Sequence, residues 1–65
     1  MKLNEILNKE NTTMTELYID GEFETLTNAD TIFYRYGELE FVSMVMMDDI
    51  LVIEVTEPSH LKIIS

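Results

Sequence analysis

A chain of 65 residues holds one domain, 1–65, and a domain of this size buries only about 60% of the surface its unfolded chain exposes. Cys is absent, which excludes disulfides and thiolate metal sites, and a lone His leaves any zinc site resting on carboxylates. Thirteen acidic residues against four basic ones give a net charge of −9, while a hydrophobic content of 46% is too high for a disordered acidic tail.

The first expected element is a short helix over 2–10, because Leu3, Ile6 and Leu7 fall at i, i+3 and i+4 and make one apolar stripe. So short a helix does not persist alone in water and must dock on the rest of the domain. The same stretch has no apolar run of signal-peptide length, and no segment approaches a membrane span, so a cytoplasmic setting is expected. Asn11-Thr12-Thr13 matches a glycosylation sequon and reads as the loop that ends the helix.

From Thr15 the period becomes strand-like. Asp20-Gly21 between apolar runs predicts a hairpin over 15–27. A two-residue loop sets Leu17 opposite Glu24. A three-residue loop over Ile19-Asp20-Gly21 pairs Leu17 with Phe23 and Glu16 with Glu24, which separates an apolar from a polar face and is the expected register. Thr31 to Tyr36 is β-branched and aromatic and is read as a strand, paired across Gly37 with 38–42 in a second hairpin over 31–42.

Residues 43–48 either extend that strand or form one helical turn, with Ser43 as N-cap and the methionines inward. Methionine's helix preference favours the turn. Ile50 to Val55 is a strand, and 56–65 is a tail interrupted by Pro58, with a short strand open over Leu61 to Ile64. The expected fold is α+β: a short N-terminal helix packed on a small, twisted, mainly antiparallel sheet of four to five strands.

The charge pattern carries the functional reading. Glu22 and Glu24, and Glu38 and Glu40, stand two apart on expected strands, which sets each pair on one side about 7 Å apart. Phosphates along one nucleic-acid strand bring a charge about every 3.4 Å of axis, so such rows imitate a phosphate backbone. Spacing of two is also the ordinary pattern of a wet sheet face. The total is less ordinary: solubility asks for a net charge of about 2–8 with signs interspersed, whereas Gly21 to Asp30 holds acids and no base. The partner-binding candidates are Glu16, Glu22, Glu24, Asp30, Glu38 and Glu40, together with Tyr18 and Tyr34, since tyrosines anchor interfaces.

Other features carry less. Met44, Met46 and Met47 suit either an adaptable contact patch or an undersized core. Ser59 and His60 are neighbours in an extended tail and point apart, which makes a poor relay. Asp48-Asp49 and Asp20-Gly21-Glu22 do not follow the calcium-loop pattern. With two glycines there is no phosphate cradle, and neither cofactor, metal nor catalytic residue is expected.

The layout, from Met1-Lys2-Leu3-Asn4-Glu5-Ile6-Leu7 through strands to Ile50-Leu51-Val52-Ile53-Glu54-Val55, resembles in style the small, acidic, Cys-free accessory proteins of bacteriophages and mobile elements, among them anti-CRISPR proteins and other DNA mimics. The resemblance implies a non-enzymatic inhibitor or modulator that occupies the basic nucleic-acid-binding surface of a host protein or nuclease, without touching nucleic acid or membrane itself. The alternative is a homodimeric structural or assembly module whose acidity serves solubility alone.

Overall fold

The computed structural model describes residues 1–58, in the order 3-10 turn Leu3–Glu5, β1 Met14–Ile19, β2 Glu22–Asn28, α1 Ala29–Tyr36, β3 Glu40–Met47 and β4 Ile50–Thr56. These form a small α+β domain with one helix on a four-strand mixed sheet of order β2-β1-β4-β3. Each hairpin places its inner strand at the centre, and α1 carries the chain from one edge of the sheet to the other. The inner strands β1 and β4 therefore meet in parallel, Thr15 beside Leu51 through Ile19 beside Val55. Among the described residues no helix is long and apolar enough to cross a membrane.

The first hairpin corrects the expected register. Asp20 and Gly21 both take positive φ, 53° and 85°, and form a two-residue turn that closes on Ile19 and Glu22. The clash of Leu17 with Glu24 is avoided by a bulge. Tyr18 pairs with Phe23, Glu24 is the extra residue, and Leu17 then pairs with Thr25 and Glu16 with Leu26.

The expected second hairpin over 31–42 does not form. Ala29, Ile32, Phe33 and Tyr36 stand at i, i+3, i+4 and i+7, and as a helix they turn one stripe onto the sheet, with Ala29 and Ile32 fully buried. That burial overrides the β-preference of the segment. The Ala29 N–H donates to the Thr13 carbonyl at 2.8 Å, and an Asp30 side-chain oxygen accepts from the Thr31 N–H at 2.7 Å, so donors of the first turn find partners.

The helical turn over 43–48 is likewise replaced, by strand β3. Asp48 and Asp49 take φ of 50° and 66°, and this two-residue turn joins Met47 directly to Ile50. Strand β4 covers the expected 50–55 and ends at Thr56. The Ser59–His60 pair and the strand over Leu61 to Ile64 lie outside the described residues.

In place of a helix over 2–10 stands the 3-10 turn Leu3–Glu5, followed by irregular chain to Thr13. Its apolar residues nonetheless dock: Leu3 and Leu7 join Leu17, Ala29, Ile32, Leu51, Ile53 and Val55 in the core. The Asn4 N–H donates to the Gly37 carbonyl and the Leu3 N–H to the Leu39 carbonyl, each at 2.9 Å, so the segment is strapped over the end of α1. A domain this small uses tertiary hydrogen bonds where nine residues of helix are too few to hold.

Candidate interaction surface

The core occupies one face of the sheet, beneath α1 and the strap, with Thr15, Leu17, Leu51, Ile53 and Val55 pointing into it. The alternate residues face away, and strand pairing sets them in rows. Leu26, Glu16, Val52 and Val45 lie side by side across β2, β1, β4 and β3, and Phe23, Tyr18, Glu54 and Ser43 form the next row. Tyr18 and Phe23 meet edge to face at 5.7 Å, and the Tyr18 hydroxyl donates to Glu16 at 3.0 Å. That bond to a carboxylate is the main reason the Tyr18 phenol is pushed above its ordinary pKa. No residue of the helix lies over this face, whose two rows are apolar apart from Glu16, Glu54, Ser43 and the Tyr18 hydroxyl.

Apart from Glu16 and Glu40, which stands at its end opposite Thr56, the candidate carboxylates do not share that face. Glu16 alone sits in the middle of it. Glu22 opens β2 opposite Ile19, and Glu24, thrown out by the bulge, accepts the Tyr36 hydroxyl at 3.0 Å on the helix side. The Tyr36 phenol is raised, first by burial and then by this bond. Asp30 serves the first turn of α1, at the far end of the sheet. Glu38 accepts from the Lys2 ammonium at 3.1 Å and from Asn4 at 3.0 Å, and Glu40 binds the N-terminal amine at 2.8 Å. Tyr34 is exposed on α1, edge to face with Phe33 at 5.2 Å. The expected pairing of Glu16 with Glu24 is replaced by Glu16 with Leu26, and Glu38 and Glu40 are tied to the N-terminal strap.

What the topology does gather is charge at one end. Strands β1 and β4 finish together where β2 and β3 begin, and Asp20, Glu22, Glu24, Glu38, Glu40 and Glu57 all stand at or within two residues of that end. Among the described residues, the cations placed there are the N-terminal amine, Lys2 and Arg35, the last stacked 5.9 Å over the Tyr36 ring. Thr56 donates its hydroxyl to Asp20, which joins the two central strands across this end. Sequence reasoning missed Glu54 and Glu57 as members of this surface, and missed Phe23, Leu26 and Val45 as exposed. The parallel pairing that assembles them is not written in any local spacing.

A shallow recess of about 230 Å³ lies between the strap and the end of α1, lined by Asn4, Phe33, Tyr34, Arg35, Gly37 and Glu38. Among the described residues no group of three or more His, Cys, Asp or Glu is arranged to hold a metal ion.

The described residues form a small α+β domain that presents a carboxylate-rich end and an open sheet face, apolar apart from Glu16, Glu54 and Ser43 in its two middle rows. Family models, curated proteins and solved structures each give no match to this chain.

Proposed function

We propose that this chain is a non-enzymatic binding protein that docks on a basic surface of another protein, and that it acts as an inhibitor or modulator by occupying a site the partner uses for nucleic acid. An anti-CRISPR or similar anti-defence role is the narrow form of this reading. The observation that supports it is the gathering of Asp20, Glu22, Glu24, Glu38, Glu40 and Glu57 at one end of the sheet, in a chain of net charge −9. Like charge held together on a small body focuses its field and speeds encounter with a cationic surface, and the neighbouring apolar face supplies contacts that hold the complex. The reading rests on concentrated charge and not on phosphate-like spacing.

The test is capture from host lysate at about 50 mM salt followed by a wash at about 500 mM, over which the screening length shrinks severalfold. The proposal expects basic nucleic-acid-binding proteins that are released by the wash and displaced by added DNA. Partners indifferent to both treatments would sink it.

The open face, with Phe23 and Leu26 exposed, favours one second reading: a homo-oligomeric module in which two copies cover these faces. Sedimentation at micromolar concentration separates the two, since a monomer leaves this second reading without support.

A further inference from the structure

The outer edge of β3 is in use over part of its length. Met1 to Leu3 run antiparallel to its start: the Phe41 N–H donates to the Met1 carbonyl at 2.8 Å, and Lys2 bridges to Glu40. Val42 is then the extra residue of a bulge, and beyond it, among the described residues, Ser43 to Met47 pair with β4 on one side only. This uncovered stretch contains neither Pro nor charge, the usual guards of a sheet edge. Val42 and Met44 to Met47 are 41–58% exposed, on both faces of the strand.

The direction of the free backbone groups follows from the turn. A two-residue turn closes on a hydrogen-bonded pair, here Met47 with Ile50, and the groups alternate from there. Val45 therefore bonds β4, while the N–H and C=O of Met44 and Met46 point outward. The start of the strand agrees, because the Phe41 N–H points outward to Met1 and the bulge at Val42 shifts the alternation by one.

We infer that this edge takes an extended segment of the partner protein as an added strand, in line with Met1 to Leu3, and that the segment is apolar with Lys or Arg at the end that reaches Asp48 and Asp49. The inference rests on the proposed docking to a basic partner and names how the partner is held. Main-chain bonds to Met44 and Met46 supply the hold, and the methionine and valine side chains adapt to the segment's two faces. The two turn carboxylates set its polarity. A second copy fits the edge poorly. Antiparallel self-pairing over Ser43 to Met47 brings the Asp48-Asp49 turn of one chain onto Val42 and Phe41 of the other, where Met1 already lies, and it joins two bodies of charge −9.

The probe is a short alternating valine–threonine peptide ending in lysines, with a glutamate-ended control, titrated into the full chain and followed by amide hydrogen exchange. The lysine peptide is expected to slow exchange at Met44 and Met46, and the glutamate peptide to leave it unchanged. Asp48→Asn with Asp49→Asn keeps the left-handed turn and removes its charge, and is expected to weaken the lysine peptide about fivefold. Met46→Pro removes an outward N–H without touching the β4 ladder and is expected to abolish protection while β4 amides keep theirs. If the lysine peptide binds but leaves Met44 and Met46 unprotected, the edge inference fails and docking through charge survives. If neither this peptide nor polylysine binds, the parent reading fails with it. Protection of these amides in the free chain together with a doubled mass overturns the inference in favour of a second copy.

Discussion

Two glycines serve this chain for different physical reasons, and substitution separates them. Gly21 has a φ of 85° and open space around the position a Cβ would take, so Gly21→Ala suffers only the left-handed backbone, about 1–2 kcal/mol. Gly37 has an ordinary φ of −60°, but a Cβ there meets the Phe33 carbonyl oxygen and lies 2.8 Å from the Asn4 Cβ. Gly37→Ala is therefore expected to lift the N-terminal strap, with loss of exchange protection at Leu3 and Asn4 and a destabilisation of about 1–3 kcal/mol from overpacking. Equal losses in chemical denaturation with the strap intact in both variants would show that the close approach is unimportant. The aspartates of the second turn are the converse case. Asp48 and Asp49 hold positive φ without glycine, so Asp48→Asn with Asp49→Gly supplies the residues such turns prefer and is expected to stabilise the domain by about 1 kcal/mol, read as a raised denaturation midpoint.

At the level of the element, the period of residues 29–36 and their residue preference point opposite ways, and the period is the one that holds. Residues 29–36 carry the apolar period of a helix, an acid in the first turn, Arg35 in the last and Gly37 just beyond, yet Thr-Ile-Phe-Tyr-Arg-Tyr reads as strand by residue preference. Period decides because it fixes which side chains reach the core, whereas preference is worth tenths of a kcal/mol per residue. The bulge at Glu24 was not legible, since it answers a pairing conflict that exists only once both strands are placed. The strap was legible only as an apolar stripe, Leu3 and Leu7, and what holds it is tertiary.

Two ion pairs with opposite pH limits anchor that strap. The hydrogen bond from Lys2 holds the Glu38 carboxyl below its usual 4.5, so this pair stabilises the fold above that value and is lost as pH falls through the lowered one. The bond to Glu40 raises the N-terminal amine above its usual 8.0, so that pair is complete below 8.0 and is lost as pH rises through the raised value. Protection factors at Leu3 and Asn4 are expected to fall at both limits and stay level between them. Glu38→Gln should remove the acid limb and N-terminal acetylation the alkaline one. A level profile across both limits would mean that the backbone bonds to Leu39 and Gly37 suffice.

For the whole molecule, the sequence announced the amount of charge but not its place. Strand order decides that: the central parallel pair brings the ends of β1 and β4 together and collects acids from three separate stretches of chain. A body 37 Å in its longest dimension and carrying a charge of −9 repels itself at low ionic strength, where the screening length of about 30 Å at 0.01 M spans most of it. Raising NaCl to about 0.5 M confines repulsion to near neighbours. The Lys2–Glu38 and N-terminal amine–Glu40 pairs are screened as well, but they are two contacts against many like-charge separations. The melting temperature is therefore expected to rise with salt, by about 5 °C if 1 kcal/mol of repulsion is relieved, since a domain of this size shifts by about 4–8 °C per kcal/mol. Glu22→Gln, at the acidic end of the sheet, should raise the midpoint at low salt and flatten its salt dependence. A midpoint that falls with salt would mean that the few ion pairs outweigh the repulsion, and that the acids at the end of the sheet are too far apart to act as one charged surface.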